Sequence, residues 1–244
     1  MDYRLTDGCT DPVGSEAFYS EQLLRLPDSL WCYRLPPGSP ETGPLPALQN
    51  GYVTFGSFNN FNKVNRPSIE LWSALLHAVP GSRLLMITVP EGTARQALAQ
   101  QFATLGVDVS RLEFQGKQSN EEFRRMLQTV DITLDPLTVN GATTTCESVS
   151  LGVPVISLIG TRYLSRAGLS ILSAAGLRDF AADSPEAYLK IAYDLAANLP
   201  LLADIRSRLH AQVAASPLVD EIKFTQNLEA LYREAWKKWC NSGD

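Results

Sequence analysis

The sequence predicts an α/β chain in which a parallel sheet is covered by helices on both faces. Three observations predict it. From residue 51 onward, short apolar runs alternate with longer stretches whose apolar residues recur at helical spacing. The short runs, Ile132–Leu134 and Val155–Leu158 among them, are nearly continuous in their apolar character, as strands buried on both faces require. The links between them are of helix length, which joins parallel strands by right-handed crossovers.

Taken in order, residues 1–50 show no sustained period. Ser15–Leu26 is predicted as a short helix with Phe18, Leu23, Leu24 and Leu26 on its apolar side. The proline-rich stretch Pro36–Pro46 reads as an extended connector, and Trp31 and Tyr33 beside it predict that the segment packs on something. Residues 1–50 are thus an N-terminal segment and connector laid on a lobe of residues 51–244. An opening of Met-Asp-Tyr-Arg without a capped element before it is expected of part of a longer protein.

Tyr52–Phe58 is a predicted strand, Ser57–Lys63 the polar loop after it, and Ser68–Val79 a helix with Ile69, Leu71, Trp72, Leu75 and Leu76 on one side. A strand over Arg83–Thr88, a helix over Gly92–Leu105 and a short strand over Leu112–Phe114 follow. Ser119 is a suitable N-cap for a helix over Asn120–Thr129, with Glu122 at the capping-box position. Helices are then predicted over Tyr163–Ala175, Pro185–Ala197, Leu199–Ala214 and Asp220–Trp239, with a short strand or turn at Asp179–Ala182.

The centre of the chain is the stretch from Asp131 to Leu158. It reads as strand, glycine-containing loop, helix and strand, the helix opening near Thr143 where three threonines offer an N-cap and closing at Gly152 and Pro154. A helix N-terminus at the carboxyl end of a parallel strand presents unpaired N–H groups and the positive end of a dipole, so it binds anions. The expected anion is a nucleotide diphosphate. Three loops meet at that edge of the sheet: Ser57–Lys63, Gln115–Asn120 and Pro136–Thr144. Neither a Gly-x-Gly-x-x-Gly after the first strand nor a Gly-x4-Gly-Lys-Ser/Thr occurs, so ordinary dinucleotide oxidoreductases and P-loop phosphotransferases are poor fits.

The 244 residues carry a net charge of −5, which disfavours a broad nucleic-acid surface. No apolar run approaches the roughly 20 residues that span a bilayer, and no secretion signal opens the chain, so the expectation is a soluble cytoplasmic protein without a membrane partner. The four cysteines share no metal-like spacing and are expected to be free thiols. No cluster of His, Cys or acidic residues predicts a bound metal or a cofactor.

Among chemistry-bearing residues, Lys63 closes the first loop in a chain with only six lysines. It either places a point charge on the diphosphate or is a solvated loop lysine. Asn59 and Asn60 either donate amides to the same anion or form Asx-turns. Lys117 stands in the second loop. Glu147, one turn into the central helix, either accepts from two ribose hydroxyls or caps with Thr144 in a Thr-x-x-Glu box. Only His77 and His210 exist, both within predicted helices, so no Ser/His/Asp or Cys/His set forms from the loops. The chain offers an anion cradle without a general base.

The run from Glu147 to Val155, Glu-x4-Gly-x-Pro-Val, resembles the donor-binding signature of GT-B fold glycosyltransferases, in a lobe with a Rossmann-like sheet. Retaining members of that group have a second glutamate eight positions earlier; Val139 stands there, which implies an inverting enzyme. Met1-Asp-Tyr-Arg4, the run from Val53 to Asn60 with Lys63, Asp131–Asp135, Thr143–Ser148 and the closing Trp236–Trp239 together resemble the C-terminal catalytic lobe of the protein O-GlcNAc transferase family. The SPINDLY-type branch, which includes protein O-fucosyltransferases, is at least as similar.

The resemblance implies a donor-binding half of a metal-independent protein O-glycosyltransferase. Its donor would be UDP-GlcNAc or GDP-fucose and its acceptor Ser or Thr of a protein. The family's N-terminal lobe and TPR repeats, which bind the acceptor, are missing here. It places Asn60 near the donor, Lys63 at the lysine that neutralises the diphosphate, Thr143 and Thr144 at the phosphates and Glu147 at the ribose. Phe123 stands where a histidine flanks the base, Ala142 where a histidine precedes the threonines, and Asn120 where a lysine is expected, with Lys117 nearby. These departures leave the base open. A nucleotide-sugar epimerase lobe of the same fold and a non-catalytic scaffold lobe are the competing readings.

Overall fold

The computed structural model describes residues 2–241; Met1 of the Met-Asp-Tyr-Arg motif lies outside them. The N-terminal segment forms β1 (Tyr3–Asp7), β2 (Gln22–Leu26) and a single turn of helix, α1 (Ala47–Asn50). β1 and β2 pair in parallel, Tyr3 opposite Gln22 and Asp7 opposite Leu26. This corrects the helix predicted over Ser15–Leu26, of which only a 3-10 turn at Ser15–Phe18 is helical. The burial follows period two: Leu24 and Leu26 are buried, whereas Phe18, expected on the apolar side of a helix, is 82% exposed.

The lobe proper alternates strand and helix until two further helices close it. β3 (Thr54–Ser57), α2 (Arg66–Ala78), β4 (Arg83–Met86), α3 (Thr93–Thr104), β5 (Leu112–Phe114) and α4 (Asn120–Leu127) come first. β6 (Ile132–Leu134), α5 (Thr143–Ser150), β7 (Val155–Leu158), α6 (Ala167–Ala174), β8 (Ala181–Ala182), α7 (Pro185–Ala197), α8 (Leu199–Ala214) and α9 (Glu221–Asn241) follow. The helix predicted over Tyr163–Ala175 is split into a 3-10 turn, Tyr163–Ser165, and α6. Arg166 leaves helical geometry between them, its guanidinium donating to the carbonyls of Cys9 and Gly160.

The six strands are parallel in the order β5-β4-β3-β6-β7-β8. The chain first builds outward from β3 to β5, then returns through α4 to place β6 on the other side of β3. The order therefore reverses between β3 and β6, and the crevice at their carboxyl ends is where such sheets bind ligands. Alternate residues divide the core. Leu84 and Met86 of β4 join Phe55, Trp72, Leu75, Ile132 and Tyr188 on the α2/α7 face. Leu85 and Ile87 join Phe58, Leu127, Val130 and Leu151 on the other. A further cluster of Val149, Val155, Ile171, Leu172, Leu209 and Val213 lies among α5, α6 and α8, and Trp31 and Tyr33 of the connector pack on it.

Two buried charges fasten the connector. Arg206 of α8, 2% exposed, donates to the carbonyls of Gly43, Val130 and Gln128. The Asp131 carboxylate accepts from the backbone N–H groups of Ala47 and Thr54, each at 2.8 Å. No helix among the described residues is long and apolar enough to cross a membrane.

Candidate functional site

The site grows from two loops, those after β3 and β6, which the topology brings to the crevice. Asp135 closes β6 with its carboxylate buried. It accepts from the N–H of Gly141 (3.2 Å), the hydroxyl of Thr145 (3.1 Å) and the side-chain amide of Asn59 (3.4 Å). Burial pushes its pKa up to about 6, while the neighbouring Ser157 hydroxyl, the Gly141 N–H, the Thr145 hydroxyl and the Lys63 charge pull in the opposite direction. Asn59 is turned by this bond so that its amide oxygen accepts from Lys63 Nζ (3.2 Å) and from the Thr144 hydroxyl (3.2 Å). Lys63 Nζ also donates to the Asn140 carbonyl at 2.9 Å. The ammonium is half-buried, and burial holds its pKa below the usual lysine range, with Asp135 opposing.

α5 begins at Thr143, as the sequence predicts, but its N-cap is Ala142, which offers no side-chain acceptor. The threonine hydroxyls are turned instead to Asn59 and Asp135, and the first-turn N–H groups receive no cap. The Thr144–Glu147 capping box is therefore not formed. Glu147 pairs with Arg124 of α4, Nη1 to Oε1 at 3.2 Å. Burial raises the pKa of Glu147 and Arg124 lowers it. Gly141 is required by close approach: a Cβ there would lie 2.4 Å from Thr145 Oγ1, 2.6 Å from Thr144 Oγ1 and 2.8 Å from Asp135 Oδ1.

These contacts close into a ring around the start of α5. Lys63 touches Asn59 and Asn59 touches Thr144. Glu147, three residues on, touches Arg124. Phe123, next to Arg124, meets Phe58 edge-on at 5.4 Å, and Phe58 precedes Asn59. Of the residues singled out in the sequence, Asn59, Lys63, Phe123, Thr144 and Glu147 belong to the ring. Thr143 is exposed at the first position of α5. Asn60 is exposed and spends its side chain as the cap of a 3-10 turn, accepting from Asn62 N–H at 3.0 Å. Lys117 is exposed on the loop after β5. The ring also holds what the sequence reading left without a role: Asp135, Asn140, Gly141, Thr145 and Arg124. Their one visible signal was a charged residue ending an apolar strand, followed by Asn-Gly.

A diphosphate fits the chemistry of this arrangement, with a cation and uncapped N–H groups on one side and a carboxylate one turn further on. Among the described residues no group of three or more His, Cys, Asp or Glu is placed to hold a metal ion. The two histidines stand apart, His77 bonded to the Leu105 carbonyl and His210 to that of Ser150.

Comparison with known proteins gives a consistent result. The sequence profile of Glycosyl transferase family 41 matches residues 45–228. A Petunia hybrida protein described as a probable UDP-N-acetylglucosamine–peptide N-acetylglucosaminyltransferase SPINDLY is 38% identical over 99% of this chain and 26% of its own length. The Arabidopsis thaliana protein SEC, described as the same probable activity, is 27% identical over 99% of this chain and 26% of its own. The chain thus spans about a quarter of the length of the curated relatives it matches. Among solved structures, a variant of Thermobaculum terrenum O-GlcNAc transferase superimposes with a TM-score of 0.92 at 31% identity, covering 100% of this chain and 46% of the other. WaaG, a glycosyltransferase of lipopolysaccharide biosynthesis, shares the fold, with a TM-score of 0.59 at 16% identity over 94% of this chain and 61% of its own.

Proposed function

Since the chain belongs to glycosyl transferase family 41, we propose that it is the donor-binding half of an inverting protein O-glycosyltransferase that moves GlcNAc from UDP-GlcNAc to Ser or Thr. The observation that supports this reading is the ring around the start of α5, which ties Lys63 through Asn59 to Thr144 beside the uncapped first turn. In the transfer, the acceptor oxygen forms a bond to the anomeric carbon as the bond from that carbon to the diphosphate oxygen breaks. Negative charge grows on the departing nucleoside diphosphate. A half-desolvated ammonium and fixed N–H dipoles stabilise that charge with little reorganisation, the larger part of what a protein does for such a reaction.

Asp135 is not the base of this reaction. Its carboxylate is buried and bonded to Asn59, Gly141 and Thr145, so it is the anchor that aims Asn59 and thereby Lys63. The base and the acceptor site are assigned to protein regions beyond these residues, such as those that make up the remaining length of the relatives. Glu147 is assigned to the ribose and Phe123 to the face of the base.

GDP-fucose is the second reading. It is favoured by Phe123, Ala142 and Asn120, which replace the residues expected beside a uridine nucleotide. Calorimetric titration with UDP, GDP, UDP-GlcNAc and GDP-fucose tests both. Tighter binding of the uridine pair supports the first, tighter binding of the guanosine pair the second. Absence of binding to all four sinks the donor-lobe reading.

A further inference from the structure

Arg124 is unaccounted for by diphosphate or base recognition. It is the partner of Glu147 across two helices, and it differs in kind from the other charged pairs. The ion pairs on α2, α4, α7, α8 and α9 join residues three or four apart on one exposed helix. Arg124 and Glu147 belong to different helices, with side chains only 15% and 12% exposed. Among the described residues this is the one ion pair in which both side chains are so deeply covered.

A pair so covered is poor value for stability, because apolar side chains of similar volume hold two helices together as well or better. Its charge is therefore to be explained by what the carboxylate does. The contact is single, Nη1 to Oε1. An ionised carboxylate has about four lone-pair positions, so one guanidinium bond leaves room for two ribose hydroxyls. The wall beyond it is Tyr33 of the connector, whose buried hydroxyl lies against the same Glu147 carboxylate. Tyr33 is itself fixed by its backbone N–H, which donates to the Leu218 carbonyl at 2.9 Å.

We propose that Arg124 is the positioning residue of the ribose site: it holds the Glu147 carboxylate charged and aimed from α4, so that the carboxylate accepts from the ribose hydroxyls of the donor. Without Arg124 a covered carboxylate would lie unpaired, and it would then turn away or take up a proton. A protonated carboxyl is a poorer acceptor for a diol. The inference rests on the assignment of Glu147 to the ribose, and it adds the residue that makes Glu147 competent.

The test titrates the 244-residue chain with UDP and GDP, and then with the 2′-deoxy form of the tighter binder. A hydroxyl bonded to a charged acceptor contributes roughly tenfold or more in affinity. The unaltered chain should therefore bind the 2′-deoxy nucleotide at least about tenfold more weakly, and Glu147→Gln should erase most of that difference. Arg124→Met should reduce the difference to below about threefold while binding of inorganic diphosphate stays within about twofold. Arg124→Lys, which restores a positive charge, should recover part of it. Circular dichroism melts of each variant separate misfolding from loss of aim. An unaltered chain that binds neither nucleotide, or is indifferent to the 2′-hydroxyl, overturns the Glu147 assignment and this inference together. A chain that discriminates, with Arg124→Met discriminating equally, overturns the role of Arg124 alone.

Discussion

Lys63→Met is the most direct perturbation of the proposed anion site, because methionine keeps the length of the side chain and removes its charge. Unit charges about 4 Å apart at an effective dielectric of about 20 interact by about 4 kcal/mol. That is a ceiling for one phosphate. The usual contribution of a hydrogen bond to a charged group is about 1.5–3 kcal/mol, or roughly 10- to 150-fold in affinity. The upper part of that range is expected here, since burial has already stripped part of the water from the ammonium and lowered its pKa in the free protein. Binding then costs little further desolvation. The substitution has a structural cost too, since Lys63 donates to Asn59 and to the Asn140 carbonyl. Asn59 keeps its bond from the Thr144 hydroxyl, but the Asn140 carbonyl left unsatisfied would lower stability by about 1–3 kcal/mol. The assay must therefore compare ligands rather than proteins. Calorimetry with the nucleoside diphosphate and the corresponding nucleoside should show a large loss for the first and little for the second. Equal losses for both would mean that Lys63 supports the loop and does not face phosphate, and undiminished diphosphate affinity would refute the mechanism.

Two further predictions concern the frame of the site. Gly141→Ala forces a Cβ within 2.4 Å of Thr145 Oγ1 and 2.8 Å of Asp135 Oδ1; it should cost about 1–3 kcal/mol, a fall in Tm of roughly 3–10 °C, and weaken diphosphate binding, and an unchanged Tm would contradict the packing described. The Asp135 pKa of about 6 lies above its ordinary value of 3.8, so the native state binds more protons than the unfolded chain between those values. The penalty of burying the charge, about 3 kcal/mol, is fully present above pH 6 and is relieved as pH falls toward 4. Urea titrations from pH 7 to pH 5 should show a gain in stability in the unaltered protein that is smaller in Asp135→Asn, and parallel pH profiles would show that Asp135 does not titrate in this range.

The fold was legible because its determinants are local and periodic. The strand runs at Leu112–Phe114 and Ile132–Leu134 and the helices at Pro185–Ala197 and Leu199–Ala214 are set by apolar spacing and by proline and glycine at their ends. Where pairing partners decide, the reading failed. Gln22–Leu26 has three leucines and passes for a helix, and only the ladder with Tyr3–Asp7 makes it a strand. The site was legible where a residue carries its charge or cap on its face. Lys63 and Glu147 stood out as charges in loop and helix-start positions. Asn59 and Asn60 were indistinguishable as neighbours in a polar loop, since the choice between them depends on Asp135, 76 residues away. Arg124 and Arg206 were invisible for the same reason. Each looks like an ordinary helical arginine until the facing acceptors, Glu147 for one and the Gly43, Val130 and Gln128 carbonyls for the other, are folded against it.

The same non-local bonds explain why the proposed nucleotide site needs so much buried polarity behind it. An uncapped helix end and a lysine bind anions in many geometries, but transfer requires the departing diphosphate to be held in one. Lys63 is a point charge on a flexible stem and has no directional preference of its own. Direction comes from the Asn59 amide, which is oriented by Asp135, which is oriented by the Gly141 N–H and the Thr145 hydroxyl of the loop and helix that present the proposed phosphate site. The cation and the helix end are thereby fixed relative to each other through one carboxylate. Loss of Asp135 should disturb both together, whereas loss of Arg124 disturbs the ribose end alone. The arrangement thus divides into a frame for the proposed diphosphate site tied to β6 and a frame for the proposed ribose site tied to α4, joined by the single turn of α5 between Thr144 and Glu147 and by the Phe58–Phe123 contact.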